Sequence, residues 1–374
     1  MKKKEFYSLG VMSGTSLDGL DLSLIRSDGE KKIKILYNTH FRFSFEFKKK
    51  INKLIKEFNK SNKKKIVETP FFKEINLNFS KLVKEKIKRF LEIHSFDINE
   101  IDLIGLHGNT LFHNPKKKKS FQLGDPLYLT NQLKKPLVFR FRDNDIDLGG
   151  EGAPLVPIYH QSLFAKKKKN LMVINIGGIS NFTCLLGLNG VFASDIGPGN
   201  VLIDKFCQKQ FKKFYDFNGV YASKGKIICK YIKLWEKKRF LKLRIPKSFD
   251  NYFFKIDNFV GSSKKSKFDI IRTLTFFTAK IIVQSKNLFK NEIDEWIFCG
   301  GGVKNITLMN DIKKLLKGFK VRLTDDFGYD SNFIESQAFA YISIRTLKKK
   351  KSTFTTTTGA KKDSISGEIF RPEV

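Results

Sequence analysis

Gly10 to Asp21 reads GVMSGTSLDGLD, and the whole chain can be read outward from it. Phe6, Tyr7, Leu9, Val11 and Met12 lead in as strand formers. Leu20, Leu22 and Leu24 alternate with Asp21 and Ser23 on the way out, which is strand periodicity. Between them lie Ser13, Gly14, Thr15, Ser16 and the turn pair Asp18-Gly19, a pair that favours a tight hairpin. The expected product is a β-hairpin whose tip gathers backbone N–H groups, three hydroxyls and a carboxylate. Amides and hydroxyls suit phosphate oxygens, and a carboxylate suits the accompanying Mg²⁺. An ordinary edge hairpin with a polar tip fits the same residues.

The logic repeats further on. Leu171 to Ile176 reads as a buried strand, Gly177-Gly178-Ile179-Ser180-Asn181 as a turn, and Phe182 to Leu186 as a second strand. Two halves that each open with a hairpin carrying a small, polar tip imply a duplicated α/β architecture with phosphates held between the tips. A third glycine loop, Gly300-Gly301-Gly302, follows the strand Trp296 to Cys299 and precedes a helix, a place suited to an adenosine or phosphate contact. The domains expected from this are 1–155 with 328–374, and 156–327.

Between these loops lie the residues that could act on a second substrate. Ile101 to Leu106 reads as a short buried strand ending in a site loop, His107-Gly108-Asn109-Thr110. The stretch 141–157, FRDNDIDLGGEGAPLVP, has charge and glycine but no core-building period, and reads as a functional loop. Arg142 and Asp145 there can grip sugar hydroxyls or a carboxylate. Asp195 reads as the end of a strand, at a turn stiffened by Gly197-Pro198-Gly199, a place for a general base or for a helix N-cap. Residues 205–268 read as mostly helical, 269–290 as a clear helix, and Phe333 to Leu347 as another, carrying Glu335. The tail after Ser352, with its threonine run, is expected to be partly disordered or to dock on the first domain.

Composition narrows the classes. The 374 residues are 41% hydrophobic, enough for two cores. No apolar run approaches the roughly 18 residues of a membrane span, and MKKKEFYSLGVMSGT lacks the apolar core and cleavage site of a signal peptide. A cytoplasmic location is expected. The four cysteines are far apart with no metal-ligand spacing, as reduced structural thiols would be. Net charge is +34, which ordinarily points to a polyanion. Here the lysines fall in runs between periodic segments, and Phe reaches 38. That pattern reads as a compositional bias, and neither a nucleic acid nor a membrane partner is expected.

Taken together, GVMSGTSLDGLD, LHGNTLFH, FQLGDP, FR…D…GG.GAPLVP, NIGGISN, DIGPGNVLID, CGGGVKN and the Glu335 helix resemble, in order and spacing, the anhydro-N-acetylmuramic acid kinases. The resemblance runs from about Gly10 to Ala360. It implies two ribonuclease H-like α/β domains of the acetate/sugar kinase, Hsp70 and actin type flanking a nucleotide cleft. It also implies a reaction in which ATP, water and 1,6-anhydro-N-acetylmuramic acid give ADP and N-acetylmuramic acid 6-phosphate, in cell-wall sugar recycling. Asp195 matches the family's catalytic aspartate. Gly14, Thr15, Ser16, Leu17, Asp18, Gly19, Leu20 and Asp21 match its ATP-binding segment, with Gly177, Gly178, Gly300, Gly301 and Gly302 as further ATP contacts. Mg²⁺ would come with ATP, at Asp18 or Asp21. His107, Asn109, Arg142, Asp145 and Glu335 are the sugar-side candidates, and a homodimer is compatible with the reading. Asn109 stands where Gln is expected, Glu151 likewise, and Arg140 and Asn144 depart in charge. An ATP-driven switch protein of the same fold, without sugar kinase activity, is the alternative.

Overall fold

The computed structural model describes residues 4–14, 17–60, 66–250 and 252–373. Thr15 and Ser16, two of the expected ATP contacts, lie outside the described residues. The chain forms two compact units, Met1–Leu163 with Glu335–Val374, and Phe164–Ile334.

The first unit is built on a seven-stranded sheet. Its strands are β1 (Phe6–Ser13), β2 (Gly19–Ser27), β3 (Ile33–Arg42), β4 (Leu103–Asn114), β5 (Lys119–Leu123), β6 (Leu137–Phe139) and, near the end of the chain, a strand at Glu368–Phe370. β1, β2 and β3 form an antiparallel meander, while β4 runs parallel to β1 on its other side and β6 parallel to β4. Helices α1 (Phe45–Lys60) and α2 (Pro70–Ile93) supply Ile51, Leu54, Ile75 and Phe79 to a core shared with Leu9, Leu22 and Ile104. Thr69 caps α2 by accepting Phe72 N–H, with Pro70 following where a missing N–H costs nothing. α3 (Pro126–Leu133), capped by Asp125, repeats the device.

The second unit has β7 (Asn170–Ile176), β8 (Ile179–Leu186), β9 (Gly190–Pro198), β10 (Glu295–Cys299) and β11 (Lys320–Leu323), in the order β11-β10-β7-β8-β9. Again three strands form a meander and two more add in parallel on the other side of the first. The order β3-β2-β1-β4-β6 in one unit and β9-β8-β7-β10-β11 in the other is the same pattern. This is the duplicated α/β fold class expected from the sequence.

Several local expectations are corrected. His107 to Thr110 does not form a loop: β4 continues through it to Asn114. Register along β1 passes from Val11↔Leu106 to Met12↔Gly108, so His107 is the extra residue of a β-bulge, and Gly108 takes φ +76°. The stretch 141–157 contains a short helix, α4 (Asp143–Asp147), followed by α5 (Pro157–Phe164). β9 does not end at Asp195 but runs to Pro198, because Asp195 still pairs with Asn181 on β8. α6 (Val201–Gln210) follows β9. Beyond it, the described residues of 211–266 hold only short helical turns, such as Cys229–Trp235 and Asp257–Val260, joined by irregular chain. The long α7 (Lys267–Gln284) follows, then α8 (Ile306–Leu315) and α9 (Ile334–Leu347). The tail docks within the first unit, with Thr357 and Thr358 buried.

Candidate active site

In the first unit, the strand pair β1–β4 sets the geometry. Gly10 on β1 and Gly105 on β4 are register partners. A Cβ on Gly10 would collide with the Ser336 carbonyl oxygen and stand 2.7 Å from Ala340 N; one on Gly105 would collide with Ser343 Oγ and stand 2.6 Å from Phe339 O. The two glycines therefore let α9 lie directly against the sheet backbone. Small residues on the helix, Ser336, Ala340 and Ser343, complete the close approach. This fixes Glu335 and, one turn later on the same helix face, Phe339.

The His107 ring packs on Phe339 with centroids 4.5 Å apart. Arg142 donates to His107 Nε2 from Nε at 3.1 Å and from Nη2 at 2.8 Å. A guanidinium only donates, so Nε2 must be the unprotonated nitrogen, and Nδ1–H donates to the Gly108 carbonyl at 2.9 Å. Burial first, and the Arg142 charge second, hold the imidazole well below its ordinary pKa. The hydrogen bonds and the lowered pKa both favour the neutral imidazole. Arg142 also donates from Nη1 to Gly152 O at 2.6 Å.

Asn109 is fully buried on β4. Its Nδ2 donates to Ser13 Oγ at 3.1 Å and to Gly14 O at 2.9 Å, tying the strand to the start of the hairpin tip. At the tip, Leu17 is in the left-handed region at φ +58° and its N–H donates to Gly14 O at 3.2 Å. Asp18 is exposed, and its carbonyl accepts Phe43 N–H. Gly19 and Leu20 are buried, and Asp21 accepts from His40 Nδ1 at 2.7 Å. Glu335 keeps some solvent-accessible surface but lies deep among protein atoms. That burial, with the Asp21 carboxylate near it, raises its pKa, and Arg142 partly offsets the rise. The structure thus gathers the hairpin tip, His107, Asn109, Arg142 and Glu335 in one region of this unit. Asp145 is joined to Arg142 through Gly152: Oδ2 accepts Gly152 N–H at 2.8 Å, and Oδ1 accepts the Thr358 hydroxyl at 2.6 Å.

In the second unit, three expected elements converge at the end of β7. The carbonyls of Gly177 and Gly178 accept N–H groups from Asn200, Gly199 and Val201, so the turn seats the start of α6. A Cβ on Gly302 would lie 2.6 Å from Ile176 Cβ, and one on Gly300 would lie 2.9 Å from Ile176 O, so the glycine loop after β10 packs on the same strand end.

Asp195 is buried on β9 at 6% exposure. Its N–H donates to Lys247 O at 3.0 Å, and its Oδ2 accepts Phe249 N–H at 2.7 Å. Lys247 N–H in turn donates to Ser194 Oγ at 3.0 Å. Lys247 is itself buried; Nζ donates to Phe240 O at 2.9 Å. Burial lowers the Lys247 pKa, and the Asp195 charge pulls it back up. The sequence reading missed Lys247, which looks like any other of the 71 basic residues. It also missed Asp143, whose carboxyl is pushed up to about 6, chiefly by burial.

Among the described residues no three His, Cys, Asp or Glu side chains are grouped to hold a metal ion, and no helix is long and apolar enough to cross a membrane.

Comparison with known proteins agrees over the whole length. Residues 6–372 match the family model described as anhydro-N-acetylmuramic acid kinase. The anhydro-N-acetylmuramic acid kinase of Pelagibacter ubique (strain HTCC1062) is 37% identical over 99% of this chain and 99% of its own. That of Clostridioides difficile (strain 630) is 36% identical over 97% of this chain and 98% of its own. Among solved structures, component A of the (R)-2-hydroxyglutaryl-CoA dehydratase of Acidaminococcus fermentans aligns at TM-score 0.45 and 11% identity, over 92% of this chain and 100% of that one. The family model and the two relatives lead to one assignment: the chain belongs to the anhydro-N-acetylmuramic acid kinase family.

Proposed function

We propose that this protein is an ATP-dependent anhydro-N-acetylmuramic acid kinase that serves the recycling of cell-wall sugars. Water opens the 1,6-anhydro ring, O6 is phosphorylated, and N-acetylmuramic acid 6-phosphate and ADP leave. The observation that carries the reading is Asp195, a buried carboxylate with one oxygen held by the Phe249 N–H. Asp195 takes a proton from water as the water oxygen bonds to C1. The C1–O6 bond breaks and its electron pair passes to O6. O6 then bonds to the γ-phosphorus as the bond to the β–γ bridging oxygen breaks. Substrate-side charge is met by Arg142, whose orientation is set by His107 and Gly152 O. Its guanidinium suits the lactyl carboxylate of the sugar. Glu335, whose pKa is raised by burial and by the Asp21 carboxylate, lies on the same side of the site.

ATP would be held by the amides of the Gly14–Gly19 tip and by the glycine turns at 177–178 and 300–302. Mg²⁺ takes one or two carboxylates and draws its other ligands from phosphate and water. Exposed Asp18 and half-buried Asp21 fit that donor set. The ion would supply charge neutralisation at the phosphates.

The test is an assay of purified protein with Mg-ATP and 1,6-anhydro-N-acetylmuramic acid, followed by mass spectrometry, with Asp195→Asn beside wild type. The expected product carries one phosphate and one added water, and the variant loses on the order of 10²–10⁴-fold in rate. ADP formation without a sugar phosphate overturns the substrate, and an unimpaired variant overturns the base.

A further inference from the structure

The segment after Leu347 has no part in the proposed reaction, yet several of its polar groups reach one stretch of the chain, Arg140 to Gly152. Thr358, fully buried, donates its hydroxyl to Asp145 Oδ1 at 2.6 Å. The Thr358 carbonyl accepts Glu151 N–H at 2.7 Å, and Lys361 N–H donates to Leu148 O at 3.0 Å. Asn144 Nδ2 donates to Ile365 O at 2.8 Å, and Glu368 pairs with Arg140 at 3.0 Å.

These contacts form a directed series. Thr358 holds Asp145; Asp145 holds the N–H of Gly152; the carbonyl of Gly152 takes Nη1 of Arg142; Arg142 holds His107. A Cβ on Gly150 would stand 2.7 Å from the Asp145 carboxyl carbon, so the loop folds tightly over that carboxylate. Asp145 thus joins two segments 213 positions apart in sequence.

We propose that the C-terminal segment Thr353–Gly367 is the brace that sets the Arg142–Gly152 loop, and that Thr358 is its positioning residue, placing Arg142 for an anionic sugar. The choice of sugar rests on the function proposed above; the bracing of the loop does not. Thr358 touches no substrate and acts through Asp145 and the Glu151 amide. The threonine run, low in complexity as a sequence, is thereby a specific fastening.

The experiment compares wild type, Thr358→Val and Thr358→Ser. Amide hydrogen exchange is measured without ligand, and KM for the anhydro sugar and for ATP with it. In Thr358→Val the amides of 145–152 are expected to exchange roughly tenfold faster or more, while those of β1 and β7 stay as in wild type. KM for the sugar rises by about the same factor and KM for ATP is unchanged. Thr358→Ser, which keeps the hydroxyl, behaves as wild type in both. Unchanged exchange of 145–152 in folded Thr358→Val overturns the brace, as does faster exchange spread over the whole chain. Faster loop exchange with an unaltered sugar KM overturns the positioning role. If wild type does not turn over the sugar, the proposed function fails, and the exchange data still decide the brace.

Discussion

Phe249 and Asp195 are joined by a hydrogen bond from a main-chain N–H to a buried carboxylate oxygen, 2.7 Å long, across 54 positions of sequence. Lys247, two residues before Phe249, accepts the Asp195 N–H. The proposed base is therefore clamped through both its backbone and its side chain by one short segment. The Phe249 N–H thereby selects the side-chain rotamer.

Lys247 is the charge within that clamp. Lys247→Met is expected to lower kcat/KM about tenfold and to move the acid limb of its pH profile to higher pH, since a cation near a carboxylate favours its ionised form. Lys247→Arg keeps the charge and keeps the limb where it is. A profile unmoved by Lys247→Met, in a variant as stable as wild type, shows that the ammonium serves packing alone.

Arg142→Lys removes the fork that holds His107 by two N–H groups and Gly152 by a third. A lysine cannot reproduce that planar pattern. The sugar KM is expected to rise roughly 10–100-fold, equal to the loss of one or two charge-assisted hydrogen bonds, with the ATP KM nearly constant. Steady-state kinetics with each substrate varied in turn checks this.

Gly105→Ala puts a methyl into Ser343 Oγ and the Phe339 backbone. Sheet and helix must separate, and the expected loss of stability is about 2–4 kcal/mol by urea unfolding. Gly187→Ala is a control in open space, although its φ of +63° carries its own smaller strain.

Asp143 gives a pH signature. Its carboxyl is raised from the ordinary aspartate value to about 6, mainly by burial. A group favoured in its neutral form by the fold contributes its stability below about pH 4, and loses it as pH rises through about 6. Asp143→Asn removes that dependence. The variant should therefore gain on wild type between pH 4 and 7, by on the order of 1 kcal/mol after allowing for partial exposure, and the gap should stay level above pH 7. Urea midpoints at each pH measure it; a gap independent of pH refutes the assignment.

The sequence made some of this legible for clear reasons. The hairpins at 6–27 and 170–186 announce themselves because one face of each antiparallel strand alternates, and α7 because 18 residues span several helical periods. The bulge at His107 was not legible: a strand that continues past a bulge and a strand that stops at a glycine read alike. DNDID is five residues long and cannot display a helical period. The region 211–266 is rich in lysine, which favours helix, but its aromatic residues anchor separate turns to the core, and that is a tertiary effect. Asp145 reads as a sugar-side candidate because its neighbours are polar. That its partner is Thr358 depends on contacts between distant segments, and no local pattern carries them.

The meeting of Gly10 and Gly105 under α9 has one more consequence. Helices usually rest on sheets through layers of side chains, and every layer adds torsional freedom to whatever the helix carries. Here backbone rests on backbone at that point, and backbone atoms have no rotamers. The carboxyl group of Glu335 therefore inherits positional uncertainty from its own three torsions and almost nothing from beneath it. The two missing side chains act as a datum surface, from which the tolerance of one corner of the site is set.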